Sequence, residues 1–224
     1  MDEYSIFDII GPIMIGPSSS HTAGAQRLGK VAYQLAQKDI VKAQVFLHGS
    51  FAKTGKGHGT DRALAAGLLG LGSSDERLKD SLHLAQKQGV QITFQETDLG
   101  DVHPNSVKII ATRKNGEQIS FIGSSIGGGN ILINSVDGFP TNLAGAYDAV
   151  IISHWDKLGI LSKITTILAN HTINIVSQQH NRQGKGKQAI TIIETDSPID
   201  DATLQELKNL DAVLSVIRLE KMEG

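Results

Sequence analysis

The sequence of 224 residues contains no cysteine. Disulfides, thiolate nucleophiles and cysteine-ligated metals are therefore excluded within it. A surplus of positive charge is also missing, because the formal net charge is -2, and this argues against a nucleic-acid-binding protein. No apolar run approaches the ~20 residues that a membrane-spanning helix needs. The acidic start, Met1-Asp2-Glu3, is unlike a signal peptide, so we expect a cytoplasmic protein that binds neither membrane nor nucleic acid.

The chain has the length and composition of a globular protein with one or two domains. Hydrophobic residues make up 40% of it and charged residues 20%, which is enough to build cores of ordinary size. Residues 137–142, Asp-Gly-Phe-Pro-Thr-Asn, have the composition of a linker. We therefore predict an N-terminal domain at residues 1–140 and a C-terminal domain at residues 148–224.

Hydrophobic periodicity predicts an α/β fold for the N-terminal domain. Apolar residues recur at three- and four-residue steps in the helical segments and alternate in the strands, and Asn115-Gly116 is a strong hairpin signal between two of these strands. Helices are predicted at 23–37, 62–69 and 76–87, strands at 42–48, 90–96, 106–113 and 118–123, and glycine-rich loops at 49–61 and 123–129.

The pattern changes in the C-terminal domain, where strands and helices follow one another in the order βαββαβ. Strands are predicted at 149–153, 173–180, 188–194 and 213–219, and helices at 160–170 and 200–209. This order within about 75 residues is typical of the ferredoxin-like arrangement. The complete chain is therefore predicted to be α/β (α+β).

Five short polar side chains follow one another after Gly16-Pro17, namely Ser18, Ser19, Ser20, His21 and Thr22. One interpretation is a helix cap, since hydroxyl side chains satisfy the free N–H groups at a helix start. The other is a site for a carboxylate or phosphate, which the donors and dipole of a helix start attract. A cap needs one such residue and five are present, so we prefer the anion site.

A second polar cluster lies at Gly55-Lys56-Gly57-His58-Gly59. It is not a phosphate loop, because Gly57 stands where that motif needs Ser or Thr, and it misses the dinucleotide fingerprint by one glycine position. Histidine exchanges protons near neutral pH and glycine lets a backbone approach a ligand closely. A flexible turn with solvated charges explains these residues equally well when they are taken alone.

Four separated motifs in order resemble the iron–sulfur L-serine dehydratases. They are SIFD at residues 5–8, GPSSSHT at 16–22, GSFAKTGKGHGTD at 49–61 and SIGGG at 125–129. Residues 148–224 resemble an ACT domain, a regulatory module that often binds amino acids, although Leu158 stands where the ACT turn Asp-x-Pro-Gly has proline. The combination resembles the β chain of the two-chain form of the enzyme, whose β portion has an α/β fold of a substrate-binding type.

The resemblance implies conversion of L-serine to pyruvate and ammonia with a [4Fe-4S] cluster. The cluster's cysteines lie in the α portion, here a separate α chain, so this chain would bind no metal. A base is needed at the Cα proton, and the resemblance implies His58 for that role. The residues implied to bind substrate are Ser18, Ser19, Ser20, His21, Thr22, Lys56, Gly57, Gly127, Gly128 and Gly129.

Two alternatives to a catalytic β chain remain open from the sequence. One is a non-catalytic regulatory subunit that senses serine through the serine-rich stretch and the ACT domain. The other is an enzyme that acts alone on another substrate. The ACT domain is further expected to pair with another copy, because the edges of a four-stranded sheet invite pairing.

Overall fold

The computed structural model describes residues 14–222, apart from the side chain of Lys56. The lead-in predicted at residues 5–12 and the SIFD motif lie outside the described residues. Backbone contacts divide the described chain into two compact units, residues 14–138 with 142–144, and residues 139–141 with 145–222. No helix within residues 14–222 has both the length and the apolar character needed to cross a membrane.

The first sheet has six strands in the order β2-β1-β3-β4-β5-β6. The strands are β1 (Ile40–Leu47), β2 (Gln91–Glu96), β3 (Ser106–Arg113), β4 (Gln118–Gly127), β5 (Asn130–Val136) and β6 (Phe139–Leu143). Strands β1 and β2 run parallel, whereas the β1–β3, β3–β4 and β4–β5 pairs are antiparallel. The helices of the first unit are α1 (Ala25–Leu35), α2 (Gly49–His58), α3 (Thr60–Leu68) and α4 (Ser81–Lys87). A 3₁₀ turn at Glu76–Asp80 precedes α4.

Helices α1 and α3 pack against each other through glycines. A Cβ atom on Gly67 would overlap the carbonyl oxygen of Gln26 and lie 2.5 Å from the amide nitrogen of Lys30. A Cβ atom on Gly29 would overlap the carbonyl oxygen of Leu64. The two backbones therefore approach more closely than any side chain allows. This contact fixes the position of α1, which follows the Ser18–Thr22 stretch in the chain.

The structure corrects the predicted loop at residues 49–61, which is almost entirely helical. Helix α2 ends at His58, Gly59 follows with a φ of 72°, and α3 begins at Thr60. Glycine lowers helix propensity, but Phe51 is completely buried and so anchors α2 to the core. Tertiary packing therefore overrides the local preference for a loop.

Two further glycine-containing segments are strands rather than the predicted loop and linker. Strand β4 continues through the predicted loop to Gly127, and only Gly128 and Gly129, with φ of 60° and 84°, form the turn to β5. Residues 137–142, predicted as a linker, contain a turn at Asp137 and Gly138, with φ of 47° and 79°, and most of β6. Two successive positive φ values are typical of a tight hairpin turn.

The second unit has the predicted ferredoxin-like fold, which is thereby confirmed. Its elements are β7 (Asp148–Trp155), α5 (Ile160–Asn170), β8 (Ile175–Arg182), β9 (Gln188–Thr195), α6 (Asp201–Lys208) and β10 (Val213–Leu219). The sheet order is β10-β7-β9-β8, so the first and last strands are neighbours. Ala149 pairs with Leu219, and the amide of Lys221 donates to the Asp148 carboxylate at 3.3 Å.

Two histidines of this second unit share one threonine. His154 is completely buried, and its Nδ1 lies 2.9 Å from the Trp155 carbonyl oxygen, which only accepts. Nδ1 therefore carries the hydrogen, and Nε2 accepts from the Thr191 hydroxyl at 2.8 Å. The same hydroxyl oxygen accepts from His180 Nδ1 at 3.0 Å, so a continuous hydrogen-bonded chain crosses the sheet.

Candidate functional site

Ser18 caps the start of a short helical turn, as one of the two interpretations of the serine-rich stretch predicts. Its hydroxyl accepts from the His21 amide at 3.2 Å and its carbonyl accepts from the Thr22 amide at 2.8 Å. The turn, Ser19–Gly24, has the wide π-helical geometry and leads directly into α1. Turns of this π-helical kind are rare in proteins, and those that occur are often found at functional sites. The anion site preferred from the sequence stays a prediction.

Two glycines let this turn close against its surroundings. A Cβ atom on Gly16, whose φ is 155°, would overlap the Thr22 side chain. A Cβ atom on Gly24 would overlap the Ser125 hydroxyl. Thr22 and Ser125 are buried, and their hydroxyls have no hydrogen-bond partner among the described residues. Thr22 is thus packed inward, and it is less accessible than the serines that precede it.

His21 projects from the turn onto helix α2. Its Nε2 atom lies 3.2 Å from the Thr54 hydroxyl oxygen and 3.3 Å from the Ser50 hydroxyl oxygen. Its ring meets the Phe51 ring edge-on, with 5.3 Å between the centroids. Burial lowers the pKa of His21, repulsion from His58 lowers it further, and a contact with the Ser50 backbone opposes both effects. The net effect favours the neutral ring.

His58 is exposed at the last position of α2, beside His21. The ring centroids of the two histidines are 5.0 Å apart and the ring planes are inclined by 39°. His58 Nδ1 lies 3.0 Å from the carbonyl oxygen of Thr54. Because a carbonyl only accepts, Nδ1 carries the hydrogen, and Nε2 of the neutral ring holds the lone pair. In the neutral ring, Nε2 can accept a proton at the protein surface.

The remaining predicted site residues divide between the histidine pair and a separate hairpin. Gly57 is exposed on α2 next to His58, and a Cβ atom added to it would meet no heavy atom within 4 Å other than its chain neighbours and the backbone of its own helix. The side chain of Lys56 lies outside the described part of the chain. Gly127 ends β4 and Gly128 and Gly129 form the turn to β5, where Arg27 of α1 donates to the Gly129 carbonyl at 2.7 Å. The hairpin is thus tied to α1.

Sequence reasoning missed Ser50 and Thr54, the two hydroxyl residues that contact His21. They are four residues apart, and His58 follows after four more, so all three share one face of α2. That spacing is visible in the sequence. It carried no meaning while the segment was predicted to be a loop.

The residues of this chain do not fit an iron–sulfur cluster as ligands. The sequence has no cysteine, and thiolates are the usual ligands of such clusters. Among residues 14–222, histidines and carboxylates form no group of three or more that could hold a metal ion. Cysteine ligands for a cluster at this site would have to come from another protein.

The second unit carries a cavity of about 460 Å³ at the turn between β7 and α5. Asp156, Leu158, Gly159, His180 and Arg182 are among its lining residues, and Arg182 binds the Asp156 carboxylate at 2.8 Å. Burial lowers the pKa of His180, and repulsion from His154 acts in the same direction. The departure from the ACT pattern at Leu158 lies at this cavity, where that side chain is fully exposed.

Two family models match the chain, one in each unit. The model described as Serine dehydratase beta chain matches residues 5–77. The model described as ACT domain matches residues 149–212. The histidine pair and the Ser18–Thr22 stretch thus lie in the first match, and the cavity lies in the second.

Whole-chain similarity points the same way. The chain is 43% identical over 215 residues to a Bacillus subtilis protein named "Probable L-serine dehydratase, beta chain", covering 96% of this chain and 97% of that one. It is 41% identical to the L-serine dehydratase beta chain of Peptoniphilus asaccharolyticus, covering 90% and 91%. A D-3-phosphoglycerate dehydrogenase of Synechocystis is 27% identical over 84% of this chain but only 34% of its own length. The chain belongs to the family of L-serine dehydratase beta chains.

Proposed function

We propose that this chain is the β chain of an L-serine dehydratase and supplies the base that removes the Cα proton of L-serine. The observation that carries the proposal is the fixed ring of His58. Its Nδ1 atom is held by the Thr54 carbonyl at 3.0 Å, and its Nε2 lone pair remains for proton transfer at an exposed position. A base held in one orientation satisfies the geometric requirement of proton abstraction.

The serine-rich turn supplies the second element of the proposed site. His21 brings this turn against α2, so Ser19 and Ser20 lie at the start of the helical turn next to the histidine pair. Hydroxyls and backbone N–H groups at a helix start favour a carboxylate, and the dipole adds to the attraction. In the proposal this turn holds the carboxylate of L-serine while His58 takes the proton.

The α chain completes the proposed site. A [4Fe-4S] cluster held by its cysteines would supply the Lewis acidity that elimination of a hydroxyl group requires. The β chain contributes no ligand to it, in keeping with the absence of cysteine. The exposure of His58 agrees with a site that a second protein covers. The cytoplasmic location expected from the sequence stays a prediction.

The test is to compare the lone chain with the two-chain complex. After anaerobic reconstitution with iron and sulfide, we expect the lone chain to bind no cluster and to form no pyruvate from L-serine. The complex of this chain with a cysteine-bearing α chain should do both. Turnover by the lone chain would support the alternative of an enzyme that acts alone. It would overturn the proposal that the α chain supplies the cluster and this chain supplies the base.

We also propose that the ACT domain pairs with a second copy through the β8 edge of its sheet. Strand β8 has a neighbour only on the β9 side within the second sheet, and Val176 on it is 38% exposed. Val176→Lys should therefore weaken the pairing of two copies and lower the molar mass of the full-length chain in solution, measured by light scattering. Leu82→Lys, at a side chain of 37% exposure in the first unit, is the matched control. An unchanged mass for the Val176 variant would exclude this edge.

A further inference from the structure

Thr54 contacts both histidines of the candidate site through different atoms. Its hydroxyl oxygen lies 3.2 Å from His21 Nε2, and its backbone carbonyl oxygen lies 3.0 Å from His58 Nδ1. His21 reaches it from the serine-rich turn, whereas His58 reaches it from the next turn of the same helix. One residue therefore joins the two rings.

The hydrogens of this cluster can be assigned from the donors and acceptors present. The Thr54 hydroxyl donates its only hydrogen to the Ser50 carbonyl at 2.9 Å, a common arrangement for threonine in a helix. Its oxygen then faces His21 Nε2 as an acceptor, so Nε2 of the neutral ring carries the hydrogen, and the Ser50 hydroxyl oxygen, 3.3 Å from the same nitrogen, is a second acceptor for it. His21 Nδ1 consequently holds the lone pair of that neutral ring, as Nε2 does in His58.

We propose that Thr54 is the positioning residue that sets the tautomers of His21 and His58 for proton abstraction. Its side chain orients one ring and its main chain orients the other. The proposal rests on the function proposed above and adds to it how the pair is organised. At a ring separation of 5.0 Å a proton on His58 repels a proton on His21, and this repulsion adds to the burial that lowers the pKa of His21.

The two contacts of Thr54, its hydroxyl with His21 and its carbonyl with His58, respond differently to substitution. Thr54→Val keeps the shape of the side chain but removes the nearer of the two acceptors for His21 Nε2–H, and it leaves the Ser50 hydroxyl oxygen at 3.3 Å. It leaves the carbonyl that binds His58. Thr54→Ser keeps the hydroxyl. We therefore expect the valine variant to disturb His21 alone and the serine variant to behave as the wild type.

The test records ring ¹⁵N–¹H correlations of the full-length chain labelled on histidine. Thr54→Val should move His21 from the Nε2–H pattern to a mixture of tautomers while His58 keeps its Nδ1–H pattern, and Thr54→Ser should restore the His21 pattern. Thr165→Val is the matched control, because the Thr165 hydroxyl binds the carbonyls of Leu161 and Ser162 in α5 in the same way. An unchanged His21 spectrum in Thr54→Val overturns the inference.

The second readout is turnover of the two-chain complex. Thr54→Val should lower kcat for L-serine by ~10-fold, the effect of a disturbed positioning contact, with a smaller change in KM. Thr54→Ser should recover it. Wild-type kcat in the valine variant, despite an altered spectrum, overturns the role of Thr54 in the reaction. If the spectrum changes as expected but His58→Ala leaves the complex fully active, the proposed function fails and the tautomer assignment stands.

Discussion

Replacing His58 by alanine is expected to lower kcat of the two-chain complex for L-serine by ~10²–10⁴-fold, the usual contribution of a general base. KM should change much less, because the Ser18–Thr22 stretch is proposed to hold the carboxylate independently. The fold should be retained, since His58 is exposed and its side chain bonds only to the carbonyl of Thr54 among the described groups. Steady-state rates of pyruvate formation measure both parameters.

His83→Ala is a suitable control for this experiment, because His83 is an exposed histidine of α4 in the same unit. It should leave both parameters unchanged. A near-normal kcat for His58→Ala together with an inactive His21→Ala complex would reverse the roles of the two histidines. If both variants remained fully active, the base would lie on the α chain, and the alternative of a non-catalytic serine-sensing subunit would be supported.

Replacing Gly67 by alanine is expected to destabilise the first unit by ~3 kcal/mol, at the upper end of the usual cost of overpacking. The added methyl group would overlap the Gln26 carbonyl and approach the Lys30 amide, and both are backbone atoms of α1. Backbone cannot rotate away as a side chain can. The two helices must separate instead, so the packing of α1 on α3 is lost along its length.

Gly72→Ala is the matched control, because apart from its chain neighbours no heavy atom lies within 4 Å of its added methyl group. Its free energy of unfolding should stay within ~0.5 kcal/mol of the wild type. Urea denaturation followed by circular dichroism measures both units, whereas fluorescence of Trp155, the single tryptophan, follows the second. Equal midpoints for the two alanine variants by circular dichroism would show that the α1–α3 contact can relax.

The second unit was predictable because its elements obey simple periodicities. The strand predicted at 213–219 has the observed bounds of β10, and the predicted helices at 160–170 and 200–209 agree with α5 and α6 within one residue at each end. Each of these segments turns one apolar face to a single core, so local pattern and tertiary packing favour the same structure.

Helix α2 was not predictable from local pattern, and the arrangement of the site depended on it. Gly49, Gly55 and Gly57 lower its helix propensity, and only long-range packing, with Phe51 in the core, makes it a helix. His21 and His58 could each be named from the sequence. Their pairing through Thr54 could not, because it follows from the helical spacing of residues 50, 54 and 58.

Because β7 and β10 are neighbours in the sheet, the two ends of the ferredoxin-like unit lie close together. Its chain enters at Asp148 and leaves at Lys221, and these two residues are joined by a hydrogen bond of 3.3 Å. A unit whose ends meet can be inserted into another polypeptide without separating the flanking segments, and it tolerates circular permutation for the same reason.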